Sequence, residues 1–378
     1  MIAITGIGAL SVLGLGKEAQ IEGILGSKGG TALSDRVVGF EPKKIIPPLK
    51  ARRMSRFSLL ALASAIEAIS DSALKIEPLR TGIFVGTGLS STESTDLFYE
   101  SLLRGGPLNQ NPMVFPETVQ NIAASHIAIH FGIKGPNTTF SQNEIASELA
   151  IFYGIELLKE GSVDAVIVSG VEEMSNALFK GYRALRVVSK KSLMMPFDRK
   201  RDGFVPTEGS ATLVLERAED ARKRGANIYA LIASLGFSSA PVERLRYDAS
   251  GSSMRDAMTE AIKDLDMIDM ISASANSSKE LDEAEARAID EVFGNKIPVT
   301  ALRSHLGFFI SDGALRIALT ALCMKNGIVP PILNLSEPVR DINFVMSTPL
   351  RGSFRACLLN SFSSGGAGAS VVLINPHI

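Results

Sequence analysis

The sequence has few of the residues that metal sites and many catalytic sites use. Its 378 residues include two cysteines, four histidines and no tryptophan. Two cysteines in a chain of this length favour a reducing compartment over a disulfide scaffold, so we expect a cytoplasmic protein. The cysteines and histidines do not cluster at the spacing of a zinc site. We therefore expect neither a metal nor another cofactor.

Charge and hydropathy argue against further functional classes. The formal net charge is −1, which provides no electrostatic attraction to nucleic acid or to an anionic membrane surface. The longest apolar runs are far shorter than the roughly 20 residues that a membrane-spanning helix needs. The first residues, Ile2 to Gly6, are typical of a strand entering a glycine turn and lack the pattern of a signal peptide. We expect no nucleic-acid partner and no membrane partner.

Strand-like and helix-like segments alternate along the chain. Residues 81–88 and 164–170 are apolar runs without alternation, which is typical of strands covered on both faces. Strand–helix–strand units of this kind predict a mostly parallel, layered α/β sheet. A similar alternation begins again near residue 225 without a flexible linker. We therefore predict two halves, 1–224 and 225–378, that share one core.

A long polar segment covers residues 90–116, and long excursions of this kind are more often functional than filler. Phe115, Pro116 and Glu117 predict the start of a helix that runs to His130, because proline is favoured in the first turn of a helix.

Residues 140–147 have the pattern of a strand, a tight turn and the start of a helix. The apolar periodicity of residues 145–158 predicts the helix, and Gly161 predicts its end. Enzymes often place a nucleophile at such a helix N-terminus, because free N–H groups and the helix dipole stabilise negative charge there. The candidate residue is Glu144, which is a poor acyl acceptor.

Several strings, in collinear order over nearly the whole chain, resemble the β-ketoacyl-[acyl-carrier-protein] synthases. The resemblance implies a thiolase-like fold, with five αβαβα layers from two pseudo-duplicated halves. It also implies that residues of about 90–130 lie at a dimer interface. The strings are Thr5-Gly6-Ile7-Gly8, Phe115-Pro116 with Asn121, Gly135-Pro136, Pro196-Phe197-Asp198, Arg201-Asp202-Gly203-Phe204-Val205, Glu208-Gly209, Glu285-Ala286-Arg287-Ala288-Ile289, and Asn360-Ser361-Phe362 with Gly365-Gly366.

The sequence departs from that family at each catalytic position. The family uses a cysteine nucleophile at the helix N-terminus, two histidines and usually a lysine. We call the turn within residues 140–147 the elbow. If the alignment there is shifted by one or two residues, Asn143 or Gln142 takes the cysteine position, and still no cysteine does. His305 lies two residues from the second histidine position, where a local gap could restore it. The residues at the family's positions are Glu144 for the cysteine, Ser274 for the first histidine, Gly307 for the second histidine and Leu302 for the lysine.

The remaining histidines and cysteines do not supply the missing groups. His126 and His130 lie four residues apart in one predicted helix, a spacing that could chelate a metal, but no third ligand is apparent. They are better interpreted as half-buried structural residues. Cys323 and Cys357 lie in apolar contexts and are predicted to be inert core thiols.

Glu144 is therefore interpreted as a residue that fills the elbow and blocks acylation. An acyl-glutamate anhydride would have no advantage over the thioester from which it formed. We predict that the Glu144 side chain accepts hydrogen bonds from helix N–H groups. Because a bare buried carboxylate is costly, it needs a partner, for which Arg303 is the candidate.

A condensing fold without catalytic residues resembles the chain-length factors of type II polyketide systems. The resemblance implies a heterodimer with an active ketosynthase, in which this subunit has no independent activity and shapes the acyl tunnel. It also implies an acyl carrier protein as partner, in polyketide or polyene chain elongation. Glutamine is the usual residue at the cysteine position of these subunits, and Glu144 departs from it. Gln110, Met113 and Phe115 would reach towards the partner's acyl tunnel. The alternative for Met113 and Phe115 is that they fill the interface core.

Two alternatives stay open at this point. One is a self-sufficient enzyme, either a condensing homodimer or a malonyl-carrier-protein decarboxylase with an atypical site using Gln142 or Asn143. The other is a stand-alone acyl-binding or scaffold protein.

Overall fold

The computed structural model describes residues 1–27, 30, 33, 35–265 and 267–378. The strands in this part of the chain are β1 (Ile2–Ser11), β2 (Gly14–Leu15), β3 (Thr81–Thr87), β4 (Asn137–Ser141), β5 (Ala165–Glu172), β6 (Gly209–Arg217), β7 (Ala230–Ser239), β8 (Met270–Ser272), β9 (Val299–Thr300), β10 (Ile328–Val329), β11 (Leu350–Arg351), β12 (Ala356–Phe362) and β13 (Ala367–Ile374).

The α-helices of the described residues are α1 (Gly16–Gly26), α2 (Pro48–Ala51), α3 (Arg56–Ser72), α4 (Thr92–Gly105), α5 (Ile122–Phe131), α6 (Ala146–Lys159), α7 (Asn176–Ala184), α8 (Ala218–Lys223), α9 (Ser252–Ile262), α10 (Lys279–Phe293), α11 (Arg303–Leu306) and α12 (Gly313–Lys325). Short 3₁₀ helices lie at Pro42–Lys44, Pro107–Asn109, Phe115–Thr118 and Asn143–Ile145.

The main sheet contains the same arrangement twice. Its strand order is β4-β3-β5-β6-β1-β7-β13-β12-β8-β9, with β2 paired to β1. Within each half, the first strand pairs antiparallel with the last, the last pairs antiparallel with the one before it, and the other neighbours are parallel. The two halves meet where β1 pairs antiparallel with β7. This repeated connectivity is the pseudo-duplication of a thiolase-like fold.

The three largest apolar cores lie between the five layers, and the central core covers both faces of the middle helix layer. The first lies around the central helices α6 and α12 and takes residues from both halves of the sheet. The second packs α9 and α10 against the outer face of the second half. The third packs α3 and α5 against the outer face of the first half. The predicted α/β fold with αβαβα layers is thereby confirmed.

Strand β5 illustrates why the central strands are apolar without alternation. Val166 and Val168 face the central core, whereas Ile167 and Val171 face the outer core of the first half. A strand covered on both faces buries every side chain, so its sequence shows no period of two. The prediction from residues 164–170 is confirmed.

Glycines in β1 allow α3 to pack close to the strand. A Cβ on Gly6 would lie 2.2 Å from the carbonyl oxygen of Ala68, and one on Gly8 would lie 2.0 Å from that of Ser64. Any side chain at these positions would displace the helix. The glycine-rich start of the sequence is therefore a helix-packing feature.

One local prediction next to the excursion was wrong, and one helix of the excursion was not predicted. Residues 90–116 contain a full helix, α4, within the segment that the sequence marks as polar. The helix predicted from Phe115 to His130 is interrupted, because the 3₁₀ turn ends at an extended Val119 (φ −83°, ψ 142°) and α5 begins only at Ile122. The buried Glu117 side chain fixes that turn by accepting from the backbone N–H of Ser55 (2.9 Å).

The predicted division near residue 225 falls between α8 and β7. The central core takes residues from both sides of it, and the assignment of two domains at that point stays a prediction. Among the helices of the described ranges, none combines the length and the apolar character required to cross a membrane.

Candidate functional site

The elbow has the predicted form of a strand, a turn and a helix. Strand β4 ends at Ser141, and Asn143 adopts a left-handed conformation (φ 46°) that asparagine tolerates better than most residues. Helix α6 then begins at Ala146. Gly86 on β3 permits this approach, since a Cβ there would lie 2.5 Å from the backbone nitrogen of Ser147. Glu144 thus lies where a strand delivers a side chain to a helix start.

The carboxylate of Glu144 is buried, with 4% of the residue exposed, and is bound by side chains from distant segments. The hydroxyl of Tyr247 donates to Oε1 (2.9 Å) and the hydroxyl of Ser363 donates to Oε2 (2.7 Å). Asn276 Nδ2 in turn donates to the Tyr247 oxygen (3.2 Å). The prediction that Glu144 accepts from helix N–H groups was wrong, because two hydroxyls occupy its oxygens.

Arg303 is also not the direct partner that the sequence suggested for Glu144. Its guanidinium forms a two-pronged ion pair with Asp312, with Nε–Oδ2 at 2.6 Å and Nη2–Oδ1 at 2.8 Å. Arg316 Nε donates to the same Asp312 carboxylate (2.9 Å). Although burial raises it, the pKa of Asp312 is lowered by the two guanidinium groups. We refer to Arg303, Asp312 and Arg316 as the buried charge cluster.

A cavity of ≈ 960 Å³ opens beside Glu144. Its wall is apolar in part, and its charged lining residues are mostly basic. Tyr247 and Asn276 belong to the wall, as does Asn143 of the elbow. Its apolar lining includes Leu89, Leu185, Val187, Phe204, Leu245, Phe308 and Ile310, and its charged lining residues are Glu144, Arg186, Lys190, Asp202, Arg244 and Lys279.

Ser274 and Leu302 have structural surroundings. The Ser274 hydroxyl oxygen accepts from the backbone N–H of Phe362 (3.0 Å) and from Arg303 Nη1 (3.3 Å), so it orders the buried charge cluster. Leu302 is buried in the central core, where a lysine ammonium would be costly without a partner.

Neither His305 nor Gly307 is among the described residues that line the cavity, so no imidazole reaches its wall from this segment. The His305 Nε2–H donates to the carbonyl of Pro331 (2.9 Å), and burial lowers the pKa of this imidazole to about 4. The ring is therefore neutral at ordinary pH. At Gly307, φ is +73° and a Cβ would lie 2.3 Å from Thr207 Cγ2. No side chain fits at that position without a local rearrangement.

Two family models together match most of the chain. The beta-ketoacyl synthase N-terminal domain matches residues 35–221, and the beta-ketoacyl synthase C-terminal domain matches residues 229–336. The chain belongs to the beta-ketoacyl synthase family. A relative from Coxiella burnetii, 3-oxoacyl-[acyl-carrier-protein] synthase 2, is 29% identical over 98% of this chain and 98% of its own length.

Solved structures have the same ketosynthase fold. The ishigamide ketosynthase/chain length factor superposes with a TM-score of 0.93 at 24% identity, covering 99% of this chain and 98% of that one. The type II polyketide synthase complex AntDE:AntF, an acyl-carrier protein with its ketosynthase bound to the hexaketide, gives 0.89 at 21% identity over 99% and 98%. At these identities the likeness establishes the fold alone.

The three residues predicted for the tunnel or interface lie together on the excursion of this ketosynthase-family chain. Met113 and Phe115 are more than half exposed, and the Phe115 ring packs 5.6 Å from that of Phe98. Gln110 is held within its own segment, because Ser101 Oγ donates to its Oε1 (2.8 Å) and its Nε2 donates to the carbonyl of Gly106 (3.1 Å).

The other histidines and the cysteines are not among the described residues that line the cavity. His126 Nε2 hydrogen-bonds to Glu117 (2.7 Å). Cys323 and Cys357 are buried as free thiols, and burial raises the pKa of Cys323 to about 12. Within the described ranges, no group of three or more histidine, cysteine, aspartate or glutamate side chains is placed to hold a metal ion.

Sequence reasoning missed Tyr247, Asn276 and four basic lining residues. These four are exposed to solvent, and we call the part of the wall that they form the cavity mouth: Arg186, Lys190, Arg244 and Lys279. Tyr247 lies in an irregular loop, 103 residues after Glu144, and no local pattern marks it. Ser363 had a signal only nearby, because it lies between the strings Asn360-Ser361-Phe362 and Gly365-Gly366, which carry the family resemblance.

Proposed function

We propose that this chain is a non-catalytic, chain-length-factor-like subunit that pairs with an active ketosynthase. The main support for the proposal is the identity of the side chain at the elbow and of its hydrogen-bond partners. The side chain at the helix start is a carboxylate bound by Tyr247 and Ser363. The described residues of the cavity wall include neither cysteine nor histidine.

This chemistry does not suit acyl transfer. A thiolate is nucleophilic and forms a thioester, whereas acylation of Glu144 would form an anhydride that is more reactive than the donor. The described cavity wall contains no imidazole that could stabilise a thioester oxyanion. The nitrogen Nε2 of His305, outside that wall, is hydrogen-bonded to the carbonyl of Pro331. The elbow is better suited to a fixed structural role.

The exposed apolar surface of the excursion supports a second chain as partner. Eight apolar side chains between residues 97 and 129 are each more than 40% exposed. We infer that they form an apolar patch of the kind that marks interaction sites. Strand β4 adds an edge of the main sheet to the same region. The eight residues are Leu97, Tyr99, Leu103, Leu108, Met113, Phe115, Val119 and Ile129.

The cavity mouth supports an acyl carrier protein as the second partner. Arg186, Lys190, Arg244 and Lys279 line the cavity with Asp202 as the only other charged residue besides Glu144 among the described lining residues. Such a surface favours an anionic partner through electrostatic steering. We propose that the complex elongates a polyketide or polyene chain in the cytoplasm.

A malonyl-carrier-protein decarboxylase is the second candidate, and one observation favours it. Asn143 belongs to the cavity wall beside Glu144, and its amide could donate a hydrogen bond to a thioester carbonyl. Gln142 precedes it in the turn and is not among the lining residues of the described chain.

Co-expression with an intact ketosynthase from the same operon tests the proposal. We expect a stable heterodimer, with condensation only when both subunits and the carrier protein are present. Replacing the partner's nucleophilic cysteine should abolish condensation, whereas Glu144→Ala in this chain should leave some. A stable homodimer that ignores every such ketosynthase would contradict the proposal. Malonyl-carrier-protein decarboxylation by the isolated chain, lost on Asn143→Ala, would favour the second candidate.

A further inference from the structure

The hydrogen atoms around Glu144 can be assigned from the donors and acceptors present. Asn276 Nδ2 donates to the Tyr247 oxygen at 3.2 Å, so the Tyr247 hydrogen is directed at Glu144 Oε1, 2.9 Å away. The Ser363 hydroxyl lies 2.7 Å from Oε2. The same hydroxyl lies 3.0 Å from the carbonyl oxygen of Ser364, so its contact to the carboxyl group is the shorter of the two. With the Ser363 hydrogen directed at Oε2, both carboxyl oxygens accept, and a carboxylate without a hydrogen fits both contacts.

These bonds connect three separate segments. Glu144 belongs to the elbow of the first half, Tyr247 to the loop between β7 and α9, and Ser363 to the turn between β12 and β13. The Tyr247 loop also contributes Arg244 and Leu245 to the cavity mouth. Leu245 has a φ of 66°, which is costly for an apolar residue and persists only where contacts impose it. Because Tyr247 follows Leu245 by two residues in this loop, the hydrogen bonds that orient Tyr247 also help to fix Arg244 and Leu245 at the cavity mouth.

The buried charge cluster next to this site contains two positively charged side chains and one aspartate. Two guanidinium groups, Arg303 and Arg316, share the single carboxylate of Asp312. Glu148 also lies in this region, with its Oε1 3.9 Å from Arg316 Nη2, but burial raises the pKa of Glu148 and favours its neutral form.

Glu144 supplies a further negative charge to the same region. Although burial lowers it, the pKa of the Arg303 guanidinium is raised by Asp312, Tyr247 and Glu144. Burial and the charge of Glu144 together raise the pKa of the Tyr247 hydroxyl, which keeps it a donor. A glutamine in this place would keep one acceptor and lose the charge.

We propose that Glu144 is a positioning residue whose carboxylate orients the hydroxyl groups of Tyr247 and Ser363. This inference rests on the proposed non-catalytic function, since a carboxylate used in this way is not a nucleophile. It also accounts for the departure from the glutamine usual in chain-length factors. The loop that carries Arg244 and Leu245 is held in place through Tyr247.

The absence of tryptophan makes the Tyr247 bond directly measurable. The chain has five tyrosines and no tryptophan, so near-ultraviolet absorption reports tyrosine. The difference spectrum of the parent protein minus Tyr247→Phe isolates the Tyr247 band. Parent minus Tyr153→Phe gives a half-exposed reference tyrosine on α6. We expect the Tyr247 band to be red-shifted from the reference, because its hydroxyl donates to a carboxylate. Coincident bands would overturn the proposal.

The variant Glu144→Gln tests whether the negative charge of Glu144 strengthens its hydrogen bond with Tyr247. It should shift the Tyr247 band to the blue and should leave the spectrum unchanged in the Tyr247→Phe background. It should also lower the folding equilibrium constant about tenfold or more, because a hydrogen bond to a charged group is lost within a buried site. The matched control is Glu243→Gln in the same loop, an exposed residue that should change little.

A double-mutant cycle of Glu144→Gln with Tyr247→Phe completes the test in denaturant unfolding. We expect the combined loss to be smaller than the product of the single losses by about threefold or more, because the two residues share one bond. Independent losses, or a Gln variant as stable as the parent, would overturn the inference. If the Gln variant does not fold, the Tyr247 band of the parent decides alone. All measurements use the isolated chain, so their failure is distinct from a failure to pair with a ketosynthase.

Discussion

Arg303 and Asp312 form a two-pronged ion pair from which solvent is excluded. Both Nε–Oδ2 and Nη2–Oδ1 contacts are 2.8 Å or shorter, and the side chains are 0% and 1% exposed. Because Arg316 donates to the same carboxylate, one aspartate holds two charged groups of α11 and α12 in the centre of the molecule. This arrangement occupies the region where the family resemblance places catalytic groups.

Replacing Asp312 by asparagine should be among the most destabilising single changes in this chain. It leaves two guanidinium groups without their shared counter-charge, and breaking a buried pair in this way costs about 3–5 kcal/mol of unfolding free energy. Denaturant unfolding of the isolated chain measures the loss. The control is Asp220→Asn, which removes a partly exposed partner of Arg217 and should cost less than about 1 kcal/mol. Equal losses for the two variants would show that the cluster is not electrostatically critical.

Glu285 should make stability depend on pH in the neutral range. Burial raises the pKa of Glu285 to about 7 from the ordinary 4.5, so the folded protein holds this proton more tightly than the unfolded chain does. The contribution is full below pH 4.5 and is lost as the pH rises through 7. Relative to the parent, Glu285→Gln should therefore gain about 2 kcal/mol between pH 5 and 8.5.

The Gln variant mimics the protonated side chain. Oε1 keeps its bonds from the Ser274 N–H (2.8 Å) and from Asn360 Nδ2 (3.1 Å), while the amide takes the place of Oε2, which has no partner. Thermal and denaturant unfolding at four pH values give the slope. Glu291→Gln, at an exposed pair with Arg255, should leave the slope unchanged. A parallel pH profile for Glu285→Gln and the parent would refute the assignment.

The layered fold and the elbow could be predicted because they leave local and collinear signals. Buried strands such as β5 are apolar on both faces, and the turn at Asn143 lies between a β-prone run and a periodic helix. The sequence strings that resemble the family then indicated how these elements follow one another in the fold. The break in the helix predicted from Phe115 to His130 was missed, because the buried Glu117 side chain fixes the turn before Val119 through a contact with Ser55 that no local pattern encodes.

The partners of Glu144 could not be predicted for a related reason. Tyr247 and Ser363 lie 103 and 219 residues away in the sequence. Their hydroxyls meet the elbow only because β7, β12 and β13 bring their loops to the same edge of the molecule. The sequence also suggested Arg303 as the partner, since charge alone does not reveal that Asp312, nine residues further on, is better placed.

The two native cysteines should resist alkylation in the folded protein. Burial raises the pKa of both thiols, to about 12 for Cys323, so neither supplies a thiolate at the surface. Iodoacetamide followed by intact-mass analysis should add no label to the native chain and two labels to the unfolded chain. Ser364→Cys, on the cavity wall, should add one label to the native protein and thereby show that the cavity admits the reagent. A native label on the Cys323 or Cys357 peptide would contradict the burial argument.

Met113 tests whether this subunit sets the length of the product. Its side chain is 54% exposed beside Phe115, on the surface that we propose faces the ketosynthase. If it reaches the partner's acyl tunnel, Met113→Ala removes bulk from the tunnel end, and the co-expressed pair should release chains longer by at least one extension unit. Mass spectrometry of the products measures this.

The control for Met113→Ala is Met267→Ala, which truncates a methionine that is 62% exposed in the second half and should leave product length unchanged. If Met113 only fills the interface, its truncation should weaken the heterodimer, by about 1 kcal/mol or more for a hot-spot residue, and product length should not change. Analytical ultracentrifugation separates that result from tunnel lengthening. A fixed product length across Gln110→Ala, Met113→Ala and Phe115→Ala would exclude these residues from the measuring role, even where the heterodimer forms, because each substitution removes volume from the same stretch of the excursion.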